Sequence, residues 1–374
     1  MSEHTRQQSG SPIKPEAKKI IDASDPHWVD VQPAGRFLSL PEKTILHAGP
    51  PIEFERMCIL HHRGMVNACL FEGWAKTESE AEAMLARGEV RVAAAMDYAT
   101  VGSGTGIVTA SVPLLVVEDR ATGLRAGVFP SEGRFGGGFC GWGVYSPEIA
   151  ANLAYMRDSL FPPLVSVLKD AGGFPLKALF AEAIRMGDEL HSCQKAIDCL
   201  FTRAIIPYAL KCPNAANLLE YFATADRFTH NFGQAASRAA LLGVAAAGVK
   251  GALVAAGGNG VEYGVKVAGR GNRWYTAPSP MIEGPYLVEG ARRENQLPWI
   301  GDSSITECRG WGGRIRPINP DVPSGGTGMI DVDAVLRTGV EPVINGGMID
   351  VNGGWMGAGS AHMPLACFEA AGRD

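Results

Sequence analysis

No C-x-x-C pair occurs in this chain of 374 residues, and its eight cysteines follow no regular spacing, so reduced thiols in the cytoplasm are the expectation. The opening M-S-E-H-T-R-Q-Q-S-G-S-P contains no apolar h-region, which fits the same compartment. No apolar stretch reaches the ~18 residues that a bilayer span requires without a Gly, Lys or Pro inside it, so no membrane partner is expected. Dense basic runs are missing too. With a net charge of -5, the chain lacks the clustered Lys and Arg that would grip a phosphate backbone, which argues against nucleic acid. His61 and His62 are adjacent, while His191 and His362 stand apart, and none shows H-E-x-x-H or comparable spacing. No metal is expected and no motif calls for a cofactor. A G-x-S-x-G hydrolase signature is likewise absent.

What the chain has is glycine, 47 residues of it, close to twice the usual share of ~7% and spread among apolar residues. Polar residues gather in glycine-flanked clusters: H-A-G-P-P-I-E-F-E-R-M-C from His47, M-G-D-E-L-H-S-C-Q-K from Met186, G-G-N-G-V-E-Y-G from Gly257, G-D-S-S-I-T-E from Gly301, and V-I-N-G-G-M-I-D from Val343. Glycine lets the backbone turn tightly or approach a ligand, so a neighbouring carboxylate or amide is presented on a short loop. The repeated pairing predicts one enzyme site assembled from distant segments.

The length predicts two or three domains. The fold class is expected to be α/β (mixed α+β), multi-domain, with a mostly helical middle domain. Residues 1–25 are expected to be a flexible leader and 26–145 the first part of an α/β domain. Within it lie a helix-like stretch from Glu53 to Lys76, a second helix from Glu78 to Arg87 capped by Thr77 with Glu80 three residues on, and a buried strand over 111–119. Residues 146–249 are Ala- and Leu-rich with helical spacing and form the helical domain. Residues 250–374 return to β-branched residues and Gly/Pro loops, as the second part of the α/β domain. The echo G-M-I-D-V at 328–332 and 347–351 is too short to be a repeat architecture.

Each cluster has a functional and a structural reading. V-G-S-G-T-G-I-V (101–108) lacks the full G-x-G-x-x-G spacing and reads as a turn, with phosphate contact as the alternative. The 186–198 run is expected in a helix, where Asp188, His191 and Lys195 share one stripe; it is either an acid/base group or a structural ion-pair stripe. Glu53 and Arg56 follow Pro50-Pro51 near a helix start, where Arg56 either holds an anion or forms a surface pair. Asn259 and Glu262 are set among glycines. Arg273, with Thr276 in R-W-Y-T-A-P, is a second candidate for an anionic substrate, and Trp274 either walls a pocket or is core. Asp302, Ser303 and Thr306 each read first as helix caps.

Together H-A-G-P-P-I-E-F-E-R-M-C, E-G-W-A-K-T, M-G-D-E-L-H...K-A, N-G-V-E-Y-G-V-K-V-A-G, R-W-Y-T-A-P, G-D-S-S-I-T-E and the C-terminal T-G-V-E-P-V-I-N-G-G...M-G-A-G...P-L-A-C-F resemble the AllG (YlbE-like) family from about residue 40 onward. The resemblance implies a subunit of oxamate carbamoyltransferase, converting oxalurate and phosphate to oxamate and carbamoyl phosphate late in allantoin breakdown, beside an FdrA-type subunit and a third protein. It also departs from that pattern. Where the family carries H-H-H-G-A-V-G-P, this chain reads A-M-D-Y-A-T-V-G-S-G, with Asp97 and Tyr98 in place of histidines, and the segment between Gly313 and Gly328 is shorter.

The leading expectation is therefore an enzyme that makes or breaks a carbamoyl, ureido or amide C–N bond of a small anionic substrate, with phosphate as an acceptor. In it Arg56 and Arg273 neutralise the anion, and Asn259 and Asn345 hydrogen-bond the planar amide. His191 with Asp188, or Glu262, moves the proton; Glu53, Lys195, Thr276, Asp302 and Ser303 complete the substrate contacts. The alternatives are an amidohydrolase or ring-opening enzyme acting alone and a non-catalytic subunit that docks an FdrA-like partner. A homo-oligomer is expected.

Overall fold

A computed structural model describes residues 14–132, 138–225, 228–314 and 329–374. Helix α1 (Pro15–Ala23) leads into strand β1 (Pro26–Pro33), helix α2 (Ala34–Leu38) and strand β2 (Thr44–His47). Helices α3 (Ile59–Phe71) and α4 (Glu78–Ala86) precede the short strands β3 (Arg91–Ala94) and β4 (Thr100–Val101) and the hairpin of β5 (Pro113–Asp119) and β6 (Leu124–Val128). Then come α5 (Phe139–Trp142), α6 (Pro147–Tyr155), α7 (Pro162–Asp170), the two-residue β7 (Phe174–Pro175), α8 (Lys177–Arg185), α9 (Lys195–Ala209), α10 (Ala215–Thr224) and α11 (Phe228–Ala246). The remainder holds β8 (Leu253–Asn259), β9 (Glu262–Val267), β10 (Tyr275–Pro278), β11 (Ile300–Gly301), α12 (Ile305–Arg309), α13 (Val332–Thr338), β12 (Val343–Ile349), β13 (Trp355–His362) and α14 (Leu365–Gly372). The fold is mixed α/β with several sheets.

The strands on either side of the helices form separate sheets. One has the order β4-β6-β5-β1-β7 and the other β10-β9-β8-β11, with two further strand pairs, β2-β3 and β12-β13. Helix α11 joins them. It packs on β5 and β6 of the first sheet and on β8 of the second, and fifteen of its nineteen residues are buried. At its centre the buried Arg238 donates to the carbonyls of Val254 (2.9 Å), Met96 (2.8 Å) and Tyr98 (3.0 Å). An isolated buried guanidinium would be costly; three carbonyls, one from β8 and two from the turn that leads into β4, make this one a tie between the sheets.

Several local expectations hold. The apolar run of β5 is buried along nearly its whole length, as a strand covered on both faces should be. Thr77 caps α4 through the amide of Glu80 (3.2 Å), while the Glu80 carboxylate accepts from the amide of Lys76 (2.7 Å). Others do not. Glu53–Lys76 is no single helix: a 3-10 turn covers Phe54–Arg56, Met57 and Cys58 are extended, and α3 starts at Ile59. The turn is held by outside partners, since Phe54 stacks on His62 at 4.4 Å. Within the expected leader, α1 is ordered by burying Ala17 and Ile21; residues 1–13 lie outside the described residues. No helix among the described residues is long and apolar enough to cross a membrane.

The helical stretch is anchored by Trp28 of β1, which is fully buried against the rings of Phe161, Phe201, Phe222, Phe228 and Phe232 at centroid distances of 5.0 to 6.5 Å. Replacing Trp28 with Ala removes the centre of that cluster and should lower unfolding stability by ~3–5 kcal/mol, measured as the shift in denaturant midpoint. A change under about 1 kcal/mol would show that the aromatic cluster is not what fixes the helices to the sheet.

Candidate active site

The expected helix over residues 186–198 is broken in the middle. Helix α8 stops at Arg185, Gly187 takes φ +105 and Leu190 φ +65, and α9 begins at Lys195. A leucine in the left-handed region is held there only by surrounding constraints. One of them is Asp188, whose carboxylate accepts the amides of Ala196 (3.2 Å) and Ile197 (2.7 Å) and so caps α9. Asp188 is therefore a capping residue and not the partner of His191, and Lys195 is exposed at the helix start. The shared stripe does not exist.

His191 is 2% exposed, and its partner is Glu307 of α12. Nδ1 lies 2.8 Å from both carboxylate oxygens, which leaves Nε2 as the remaining ring nitrogen. Burial opposes a charge on the ring, but the Glu307 carboxylate and, beyond it, Glu189 outweigh burial and hold the pKa above its ordinary value. Glu307 is itself locked. It accepts from the Thr306 hydroxyl (2.9 Å) and from the amides of Gly313 (2.9 Å) and Asn345 (3.1 Å). Glu189 accepts the amides of His191 (3.2 Å), Ser192 and Cys193 (2.6 Å) and the Asn345 side chain (3.3 Å).

His191 faces a cavity of about 360 Å³. Its wall brings together Ser103 and Gly104, Glu132, His191, Ser192 and Gln194, His230 and Asn231 of α11, Trp299 and Ser303, and Gly346 and Gly347 of β12. Distant segments thus converge on one hollow. Glu132, absent from the residues expected from sequence, is buried, and its Oε1 accepts the amides of Phe139 (2.8 Å) and Cys140 (3.3 Å). Burial pushes its pKa up to about 7 despite those amides. Gly138 is required here, because a Cβ would stand 1.3 Å from Glu132 Oε2. The loop 101–108 has no helix after it; it presents Ser103 to the cavity, with Oγ 3.5 Å from Nε2 of His230.

The other expected residues divide. Ser303 lines the cavity. Asn345 stands behind it, spending its groups on Glu307 and Glu189. Asp302 does not cap its own helix: fully buried, it accepts the amides of Gly49 (2.7 Å) and Gly102 (2.9 Å) and ties two loops to α12. Burial pushes it up to about 7 against those two amides and Arg238. Gly49 sits at φ +80 with Gly258 so near that a Cβ would meet its carbonyl carbon at 2.4 Å. Asn259, fully buried, closes its own turn, accepting the amides of Val261 (3.0 Å) and Glu262 (2.7 Å) and donating to Pro50 O (3.0 Å).

Five expected residues lie away from the cavity altogether. Glu262 of β9 pairs with Arg56 at 3.1 Å on a half-open surface away from the cavity, and Glu53 is exposed at the start of the turn that carries Arg56. Arg273 is exposed and pairs with Asp374 at 2.9 Å. Thr276 points outward from β10. At the position of the family's histidines, Asp97 accepts from Lys266 (3.0 Å) and Trp274 (2.8 Å), away from the cavity; Trp274 is accordingly a packing residue. The shorter segment after Gly313 falls at 315–328, outside the described residues.

A family model described as oxamate carbamoyltransferase subunit AllG matches residues 90–303. The oxamate carbamoyltransferase subunit AllG of Escherichia coli (strain K12) is 34% identical over 94% of this chain and 94% of its own length. Uncharacterized protein YahG of the same strain is 32% identical over 88% of this chain and 78% of its own. Among solved structures, a conserved protein of unknown function from Enterococcus faecalis V583 superposes with a TM-score of 0.85 at 27% identity, covering 96% of this chain and 95% of that one. With both the central segment and nearly the whole length matched, the chain belongs to the AllG family.

Proposed function

We propose that this protein catalyses chemistry at a carbamoyl or ureido C–N bond of a small anionic substrate, in its leading form the conversion of oxalurate and phosphate to oxamate and carbamoyl phosphate. The observation that carries the reading is the His191–Glu307 pair in the wall of the cavity. A phosphate oxygen attacks the ureido carbonyl carbon, the bond from that carbon to the oxamate nitrogen breaks, and the departing nitrogen takes up a proton. Amide nitrogen is a poor leaving group unless protonated. His191, cationic above its usual range and oriented through Nδ1, supplies that proton from Nε2 and offsets the negative charge of the substrate. Ser303 and Ser103 offer hydroxyls in the same wall. The family relationship supports a step in allantoin breakdown in the cytoplasm, within a complex that contains an FdrA-like subunit.

A second reading has water in place of phosphate as the acceptor. It is favoured by the cavity wall, which among the described residues carries no Lys or Arg to take a phosphate. Incubating the purified protein with oxalurate, with and without phosphate, separates the two: carbamoyl phosphate formed only with phosphate supports transfer, and oxamate released without it supports hydrolysis.

His191→Asn should depress turnover by roughly 10²- to 10⁴-fold and also weaken binding of the anionic substrate; a wild-type rate would remove His191 from the mechanism. Because the acid form is the active one, kcat/KM should fall as pH rises through the elevated pKa of His191. Glu307→Gln removes the cause of the elevation and should shift that alkaline limb toward lower pH. An unmoved limb would mean that the titrating group is not His191.

A further inference from the structure

His230 plays no part in the mechanism above and Ser103 only that of a hydroxyl in the wall, yet the two meet beside the cavity that both line. Each is half-buried and so keeps surface open to a ligand. Ser103 stands between two glycines on a tight turn, closed by the amide of Gly106 donating to the Ser103 carbonyl at 3.2 Å. Gly104 takes φ +62, and a Cβ there would meet the carbonyl oxygen of Gly141 at 2.2 Å, so glycine is required beside the serine. Oγ of Ser103 accepts from Nε2 of Gln234 at 3.4 Å, which leaves its hydrogen to point at Nε2 of His230, 3.5 Å away. That contact is longer than an optimal O–H···N bond, as is common in unliganded sites, where it tightens once substrate is bound.

The far side of the His230 ring decides what Nε2 can do. Nδ1 lies 2.8 Å from the backbone carbonyl oxygen of His191. A carbonyl has no hydrogen to give, so in the neutral ring the hydrogen sits on Nδ1 and the lone pair on Nε2. The Gln194 amide closes the same cluster, its Nε2 donating to that carbonyl at 2.6 Å and lying 2.5 Å from Nδ1. Were Nδ1 to accept from Gln194 instead, its lone pair would face that of the carbonyl. A hydroxyl, an imidazole turned with its lone pair toward it, and a third group that orients the ring are the parts of an activated nucleophile.

We infer that Ser103, with His230 as its base, is a nucleophile that takes the carbamoyl group from the substrate before the final acceptor receives it. The inference rests on the carbamoyl reading above and divides its single displacement into two. In the first half, Oγ bonds to the ureido carbonyl carbon while its proton passes to Nε2 of His230. The bond from that carbon to the oxamate nitrogen breaks, and the nitrogen takes a proton from Nε2 of His191. In the second half, an oxygen of hydrogen phosphate, or of water, bonds to the carbamoyl carbon and gives its proton to His191, while Oγ leaves with the proton held by His230. Both rings then regain their starting states. The two rings are 5.7 Å apart between centroids, close enough for one small substrate to touch both.

A covalent carbamoyl-serine makes the first half reversible by itself. The full-length protein, given oxalurate and isotope-labelled oxamate with no phosphate, should therefore move label into oxalurate, which direct attack by phosphate or water cannot do. Ser103→Ala should abolish that exchange, and Ser103→Ala and His230→Gln should each depress turnover by roughly 10²- to 10⁴-fold. Exchange is read on the unaltered protein, so it decides even where a variant does not fold. Turnover of oxalurate without exchange overturns the assignment and leaves the carbamoyl reading standing, with the acceptor attacking directly; so does a folded Ser103→Ala protein that keeps the original rate. If oxalurate is not turned over with either acceptor, the carbamoyl reading falls and diisopropyl fluorophosphate, which requires only an activated serine, decides the dyad. Modification of Ser103 that is lost in His230→Gln upholds it, and an unmodified Ser103 overturns it as well.

Discussion

The carboxylate of Glu307 is fully buried, and three separate stretches of chain are built around it. The loop that carries His191, the turn at Gly313 and strand β12 at Asn345 each send it a hydrogen-bond donor. A buried charge without partners would cost several kcal/mol, so the segments that satisfy it are not free to drift apart. The cavity exists because those segments are pinned on one side. Their glycines and small side chains then form a wall in place of a packed core.

Five residues before Glu307, Asp302 does the same work on the opposite side. Its two oxygens hold the Gly49 loop and the Gly102 loop, which places Ser103 on the cavity wall. One short segment from Asp302 to Glu307 thus fixes four loops drawn from both halves of the sequence. Helix α11 supplies the rigid backing, with Arg238 bound to three carbonyls and His230 and Asn231 turned toward the hollow. Loops held by carboxylates on rigid elements are a common way to present catalytic groups while keeping them still.

Parts of this were legible in the residue order. A strand over 113–119 follows from an unbroken apolar run, and the cap at Thr77 from one residue type at a fixed offset; both depend on neighbours in sequence. The 186–198 segment is not legible in this way, because charged residues at helical spacing look alike whether or not the backbone is helical. Helical spacing pairs Asp188 with His191, whereas burial gives its carboxylate to the amides of the next helix. The two copies of G-M-I-D-V make the point in miniature. Asp331 caps α13, whereas the second copy runs through the end of β12, so the same letters take whatever structure their surroundings impose.

Residue order alone places polar groups on glycine-flanked loops, contains no metal-binding spacing or basic run, and sets His191 within a chemically rich cluster. Those are properties of composition and short spacing, and local sterics and side-chain chemistry suffice to read them. Packing between distant segments is what sets Glu307 and not Asp188 against His191, brings Glu132 and Gln194 to the cavity, and leaves Arg56, Glu262 and Arg273 outside it. The reason is that a carboxylate or amide is assigned its role by whichever donors satisfy it on burial, and here those donors lie up to about two hundred and fifty residues away in the chain.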